Sequence, residues 1–267
     1  MRTISSRHNP VVAAFRALAA TPDPSGQRVL LDGAHLVGEA LDAGLGFEVI
    51  LVAASRLAGP DEAGRLAREL QQRGLPVAEA DDRAFDAASP VRSPSGIAAI
   101  ALRSVQSGVD LCAPSDAFVL AIADVQDPGN VGALLRSAEA GGATGAFVTG
   151  SSANPFAWKA LRGSMGSALR LPIVTGLPPD RVMEEMRQAG MRTVASVARG
   201  GSDPDGVSWK GRVGLWIGGE GPGLADELVE RCDERVTIPM APQVESLNAA
   251  VAGALLVYAA RRQRRAS

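Results

Sequence analysis

Short apolar runs bounded by turn residues alternate with amphipathic stretches along almost the whole chain. In the first part, strands are expected over 29–32, 47–53 and 97–102, with a shorter one at Val77. Helices are expected over 10–20, opened by Asn9 and Pro10, over 35–43, closed by Gly44, and over 61–73, closed by Gly74. Strands and helices in alternation predict a mostly parallel sheet. His8 and His35 read as surface or helix-capping residues rather than catalytic ones.

The second part repeats this rhythm. An uninterrupted apolar strand over 118–125 turns through Gln126, Asp127, Pro128 and Gly129 to Asn130, read as the N-cap of a helix over 131–140 that stops at Gly141 and Gly142. Strands follow over 146–149, 171–174 and 192–197, with a helix over 180–189 and a Gly-, Asp- and Pro-rich loop over 198–206. A buried strand at 215–217 then runs into Gly218, Gly219, Glu220, Gly221, Pro222 and Gly223, a loop whose backbone can approach a ligand closely. A last strand over 235–240 leads through Pro242 to a long helix beginning near Ser246. On that helix Leu247, Val251, Leu255 and Tyr258 form one stripe, spaced for packing on a core or on another subunit. Two strand ends and one helix start then face a common crevice, the place where open α/β sheets bind ligands.

Length and composition narrow this picture. A chain of 267 residues fits two domains, here 1–104 and 117–267 joined by a polar linker over 105–116. With 46% hydrophobic and 21% charged residues it is an ordinary globular chain rather than a disordered one. No apolar run is long enough to span a membrane and MRTISSRHNP carries no signal-type apolar core, so a cytoplasmic protein with no membrane partner is expected. Cys112 and Cys232 are the only cysteines, and two histidines complete the supply, so no CxxC or HExxH zinc pattern can be written and no metal is expected. A serine hydrolase is disfavoured as well, because Arg162 stands where the first glycine of a G-x-S-x-G around Ser164 belongs.

The formal charge of −2 argues against bulk polycation binding. Charge is nevertheless uneven. Positions 151–175 hold Lys159, Arg162 and Arg170 with no acid, whereas 60–90 hold seven acids against four arginines, so a basic face can grip phosphates locally. Arg261, Arg262, Arg264 and Arg265 could do the same, or could simply complement the C-terminal end of the last helix.

The glycine-rich loop is not a dinucleotide fingerprint, since Leu224 stands where its last glycine belongs. Pro222 removes an amide donor and Glu220 puts a carboxylate where a pyrophosphate would sit. A ligand with a polar base and a cationic centre but no phosphate suits the loop, and S-adenosylmethionine answers that description; a plain strand-to-helix turn is the alternative. Arg136, four residues after Gly132, leans toward the start of its helix beside Asn130, or is a surface arginine on an amphipathic helix.

DPGNVGALLRSAEAGGA, GLWIGGEGPGL and TIPMAPQVESLNAAVAGALL together resemble the three motifs of the SpoU/TrmH family of RNA ribose 2′-O-methyltransferases, of the SPOUT class, in order and spacing over about 116–263. The N-terminal stretches RTISSRHNPVV and VLLDGAHLVGEAL are similar to the substrate-binding domain of ribosomal-RNA members, a fold akin to small ribosomal proteins. The resemblance implies an α/β catalytic domain, a parallel sheet with helices on both faces tied into a deep trefoil knot, a rare exception to unknotted chains. A small α/β RNA-binding domain would precede it. The resemblance further implies S-adenosylmethionine as cofactor, a homodimer, and a substrate in ribosomal RNA, most plainly 23S.

Carried over by motif, Asn130, Arg136, Glu220, Ser246 and Asn248 take the catalytic and substrate positions, and Gly218, Ile238 and Leu247 the cofactor contacts. Gly219, Met240 and the loop at Thr149 and Gly150 join that clasp, and Arg7, Lys159, Arg162 and Arg170 would meet RNA. Pro242 departs from the glycine usual after I-P-M-x, and Ala250 stands where a serine is frequent. The alternatives are a transfer-RNA methyltransferase of the same family and a non-enzymatic RNA-binding assembly factor.

Overall fold

The computed structural model describes residues 2–91 and 93–265. Two compact units emerge: residues up to Ser104 with Phe156–Arg162, and Val105–Pro155 with the chain from Gly163 onward.

The first unit runs β1 (Arg2–Ile4), α1 (Pro10–Ala20), β2 (Arg28–Asp32), α2 (Ala34–Asp42), β3 (Gly46–Ala53), α3 (Ala54–Leu57), α4 (Glu62–Gln72), β4 (Val77–Ala80), α5 (Asp82–Ala88) and β5 (Ile97–Leu102). Three of the helices start where the sequence supplies a side-chain cap: Asn9 accepts from Val11 N–H, and Asp61 and Asp81 accept from Gly64 and Ala84, whereas α2 starts at Gly33 without one. The sheet has the order β1-β4-β3-β5-β2. Here the expectation of a mostly parallel sheet needs correction. β5 runs antiparallel to both of its neighbours, β2 and β3. Two hydrogen bonds fix its start: Gly33 donates to Ile97 and Ala53 to Gly96, both at 2.9 Å, so β5 starts beside the ends of β2 and β3 and runs back between them.

The second unit opens with α6 (Gly108–Cys112), β6 (Phe118–Ala123), α7 (Pro128–Gly141), β7 (Gly145–Val148), α8 (Trp158–Ser164, whose first five residues group with the first unit) and α9 (Ser167–Arg170). It continues through β8 (Ile173–Thr175), α10 (Pro179–Gln188), β9 (Arg192–Ser196), β10 (Val213–Gly218), α11 (Asp226–Arg231), β11 (Glu234–Val236) and α12 (Ala249–Arg265). All five strand pairs in the sheet, ordered β11-β9-β10-β6-β7-β8, are parallel. β6 is buried at all six positions, which explains why it reads as a continuous apolar run. The segment expected as a linker is part of this unit: α6 puts Leu111 and Cys112 into its core beside Met183 and Met186.

Several boundaries shift for identifiable reasons. Asp127, not Asn130, caps α7, because Pro128 is preorganised for the first helical position and Asp127 Oδ1 accepts from Asn130 N–H at 2.9 Å. β11 ends at Val236 rather than running to 240, since Thr237 turns its hydroxyl to the Val197 carbonyl at 3.1 Å and Pro239 has no amide to offer a ladder. α12 begins at Ala249, with Asn248 Oδ1 accepting from Ala250 and Val251 N–H at 2.9 and 3.2 Å.

α12 lies against α7 at two glycines. A Cβ on Gly253 would come within 2.2 Å of Leu134 Cδ2, and one on Gly141 within 2.0 Å of Val257 Cγ1. Val257 is β-branched and buried, so it has little freedom to give way. Gly141→Ala is therefore expected to destabilise the protein by about 1–3 kcal/mol through overpacking, read by chemical denaturation; an unchanged midpoint would show that the two helices have slack.

Candidate active site

The register of two central strands decides where the site forms. β6 and β10 pair so that Ala123 lies opposite Gly218. The residues that follow, Asp124 and Gly219, therefore leave the sheet side by side. A Cβ on Gly219 would sit 1.8 Å from the Asp124 carbonyl oxygen, and one on Gly218 would sit 2.3 Å from the backbone of Gly223 and Leu224. No other residue type fits either position. Asp124 itself has φ of 59°, a left-handed conformation that Asp tolerates better than most residues.

This turn is braced by its own side chains. Gln126 Nε2 donates to Asp124 Oδ1 at 2.9 Å and also to the Ser151 carbonyl, and Ser152 Oγ bridges the Ile122 carbonyl and the Val125 amide at 3.2 Å each.

From that turn a polar chain crosses the three motif segments. Gln126 N–H points at Glu220 Oε2 at 3.4 Å, and Asn130 Nδ2 donates to Glu220 Oε1. Asn248 Nδ2 in turn donates to Asn130 Oδ1 at 3.1 Å. Because Glu220 only accepts when ionised, the Asn130 amide must turn its nitrogen toward Glu220 and its oxygen toward Asn248. Asn130, Glu220 and Asn248 are thus assembled from positions 90 and 118 residues apart.

Beside them opens a cleft of about 530 Å³, within the range of small-molecule sites. It is lined by Ile217–Leu224, by Ile238 and Met240, and by Ser246, Leu247 and Asn248, with Ser196–Arg199 forming a further wall. Gly218, Gly219, Ile238, Met240 and Leu247 all stand in this lining, as do Glu220, Ser246 and Asn248.

Thr149 and Gly150 do not. They follow β7 on the far side of β6, where Thr149 is buried and Gly150 N–H donates to the Leu177 carbonyl, so their loop reaches the site by bracing Val125 and Gln126 through Ser152 and Ser151. The wall after β9, including Arg199, and the Arg235 side of the cleft were missed; only the Gly-rich composition of 198–206 hinted at them.

The expected cations part company. Arg136 is exposed on α7 and shares no hydrogen bond with the Asn130–Glu220–Asn248 chain among the described residues. It lies six positions, about 9 Å of helix, beyond Asn130. Arg170 is held by Glu139 through two hydrogen bonds of 2.7 and 2.8 Å, tying α9 to α7 rather than standing free for phosphate. Arg7, Lys159 and Arg162 are exposed. The C-terminal arginines turn back on the fold: Arg261 donates to the Ala140 carbonyl at 2.6 Å, Arg262 pairs with Asp205, and Arg264 donates to the Trp209 and Gly211 carbonyls.

The chemistry of the cleft suits a neutral base carrying a cationic centre. Ile217, Ile238 and Leu247 supply apolar wall, Glu220 and Asp226 supply negative charge, and Arg199 and Arg235 supply positive charge. Gly221 and Gly223 leave bare backbone, since a Cβ at either would meet nothing within 4 Å. Pro222 interrupts any run of amides that could cradle phosphate.

Comparison with known proteins places these residues in context. The model of the SpoU rRNA Methylase family matches residues 117–258. An uncharacterized tRNA/rRNA methyltransferase of Synechocystis sp. is 33% identical over 265 residues, 98% of this chain and 94% of the relative. The 23S rRNA (guanosine(2553)-2′-O)-methyltransferase RlmP of Bacillus subtilis is 29% identical over 260 residues, 97% of this chain and 98% of the relative. Among solved structures, the AdoMet-bound rRNA methyltransferase from Sinorhizobium meliloti aligns with a TM-score of 0.82 at 27% identity, covering 98% of this chain and 97% of that one.

Asn248 has two separable duties, and two substitutions divide them. Asn248→Ala is expected to cost about 1 kcal/mol by removing the cap of α12. Asn248→Asp keeps the acceptor and so the stability, while losing the donor to Asn130. Equal melting temperatures for the Ala and Asp variants would show that the cap contributes nothing.

Proposed function

We propose, from the fact that the chain belongs to the SpoU rRNA methylase family, that it is an enzyme transferring the methyl group of S-adenosylmethionine to a ribose 2′-hydroxyl of RNA. The observation that carries this reading is the meeting of the cleft with the Asn130–Glu220–Asn248 chain: a site suited to the cofactor opens directly beside a polar cluster that can orient a second substrate. Gly218, Gly219, Ile238, Met240 and Leu247 hold the cofactor in this reading, with the Ser196–Arg199 wall in place of Thr149 and Gly150. The polypeptide from Thr237 onward returns from the sheet edge at β11 to line the cleft beside β10, a path that supports a deep trefoil knot in the C-terminal segment.

S-adenosylmethionine, when bound, supplies a methyl group on a sulfonium, and its sulfur leaves as a neutral thioether with no need of an acid. The chain's residues have the other tasks. Holding the hydroxyl in line with the methyl supplies much of the rate, since orientation is worth up to about 7–11 kcal/mol. The hydroxyl passes its proton to solvent water as the O–C bond forms and the C–S bond breaks, because an arginine is too weak an acid for its guanidinium to serve as the base. Arg136 instead stabilises the developing alkoxide and grips the neighbouring phosphate, with Asn130, Glu220, Ser246 and Asn248 fixing the ribose.

Arg136 lies outside the hydrogen-bonded chain of its own protomer, and Val251, Leu255 and Tyr258 on α12 are 47–49% exposed in one stripe. Both features support a homodimer in which α12 packs at the interface and each site draws on two copies. Sedimentation at micromolar concentration is expected to give a dimer, and Leu255→Glu a monomer; a wild-type monomer would remove this part of the reading.

The substrate is taken to be ribosomal RNA of the large subunit, supported by the full-length similarity to RlmP and by the exposed cations of an N-terminal RNA-binding unit. Among the described residues no helix is long and apolar enough to cross a membrane, and a cytoplasmic site of action goes with this substrate. The deciding experiment supplies methyl-labelled S-adenosylmethionine with unmodified 23S ribosomal RNA and, separately, transfer RNA, followed by digestion to nucleosides. Label in 2′-O-methylnucleosides of 23S RNA alone is expected; label in transfer RNA alone would move the substrate class. Arg136→Ala is expected to lose methyl transfer by about 100-fold or more while binding the cofactor normally, in the range seen when one charge-stabilising donor is removed. Wild-type turnover in that variant would displace Arg136 from its role.

A further inference from the structure

Seven residues from the later half of the chain, Phe156–Arg162, group with the first unit rather than with the sheet that precedes them. Phe156 anchors them. Its ring is 2% exposed and fills the space beside Gly26, whose Cβ would come within 2.4 Å of Cε2. The Arg103 guanidinium lies 4.3 Å over the ring centroid, while its Nε donates to the Gly26 carbonyl at 3.2 Å. Ala160 and Leu161 are fully buried behind it.

The outer side of the same turn carries different chemistry. Trp158 is half-buried and Lys159 and Arg162 are exposed, at i, i+1 and i+4 on one helical face. Lys159 Nζ lies 5.7 Å and the Arg162 guanidinium carbon 5.9 Å from the Trp158 ring centroid. These distances are at the outer limit of an attractive cation–π contact, so both cations are held loosely. The indole N–H has no hydrogen-bond partner among the described residues. The surrounding stretch, 151–175, contains no acid. Arg162 is also near enough to the Asp32 carboxylate to favour its charged form. A large aromatic ring on an anchored turn, flanked by two exposed cations, has the two components of single-stranded RNA recognition: a π-face for a base and positive charge for the adjoining phosphates.

We propose that Trp158 is a stacking platform for an unpaired nucleobase of the RNA substrate, with Lys159 and Arg162 passing from its ring to the phosphates on either side of that base. The proposal rests on the reading of the chain as an RNA methyltransferase and adds a base-contacting residue to it. Tryptophan is a strong choice for such a platform because its large ring presents a broad face, while anchoring by Phe156 means that little ordering is needed when RNA arrives.

The composition offers a direct readout. Of the three tryptophans, Trp209 and Trp216 are 0% exposed, so only Trp158 can meet RNA. Titrating the full-length protein with an unmodified 23S ribosomal RNA transcript should quench tryptophan emission saturably, at the concentration where filter binding shows complex formation. Trp158→Phe should bind RNA with nearly the wild-type affinity and show no quenching. Trp158→Ala should weaken RNA binding by about 5- to 100-fold, the range for loss of one stacked base, with cofactor affinity and melting temperature unchanged. RNA binding by the wild type without any change in emission, or equal quenching in Trp158→Phe, would overturn the platform and leave the functional reading standing. Absence of RNA binding by the wild type would overturn both. The comparison with Trp158→Phe keeps the test decisive even where the alanine variant folds poorly.

Discussion

The site depends on one close approach: the backbone of Gly219 passes so near the carbonyl of Asp124 that there is no space for a side chain between them. Parallel pairing of β6 and β10 brings the two strands to the same edge of the sheet, but pairing alone would let the loops beyond them diverge. The missing Cβ holds them together. It leaves Glu220, the next residue, within reach of the α7 N-terminus, and makes the start of α7 and the glycine-rich loop a single surface. α12 completes it by packing its own glycine on Leu134 of α7, which brings Asn248 to Asn130. The polar chain is therefore a consequence of backbone contacts. Its hydrogen bonds are solvent-exposed and individually worth only about 1 kcal/mol, too little to gather three segments by themselves.

What the sequence disclosed follows the same division. The alternating arrangement of the second unit was legible because its central strands β6, β7 and β10 are short apolar runs, and the crevice followed from the strand ends. Asn130, Glu220 and Asn248 could be grouped through the motif resemblance, and their bonds are what the structure adds. The third wall of the cleft was not legible. Periodicity does not say which strand lies beside which, and the sheet order places β9, not β7, next to β10. Thr149 and Gly150 consequently fall on the wrong side of β6 to line the cleft, although they resemble the other loops in composition. In the first unit, alternation suggested crossovers throughout. The antiparallel course of β5 depends on which end of β2 and β3 its first residues bond to, which the hydrophobic pattern does not encode.

Charge shows most clearly why position in the fold matters more than composition. Four of the basic residues near the end of α12 and in α9 looked equally able to bind phosphate, yet Arg170, Arg261, Arg262 and Arg264 each have a carboxylate or carbonyl acceptor within the protein. A guanidinium with its donors satisfied in this way gives up internal bonds before it can grip an external anion, so its contribution to binding is reduced by what it relinquishes. Arg7 and Lys159 give up only weak contacts, a 3.4 Å hydrogen bond from Arg7 to His8 and a loose approach of Lys159 to the Trp158 ring, whereas Arg162 also faces the Asp32 carboxylate. With a net charge of −2 there is no general attraction to hold RNA in place. Selection among cations then rests on which have donors left over by the fold, and composition does not reveal that. A count of arginines weighs every cation equally, whereas the fold sets how many donors each has left for an external anion.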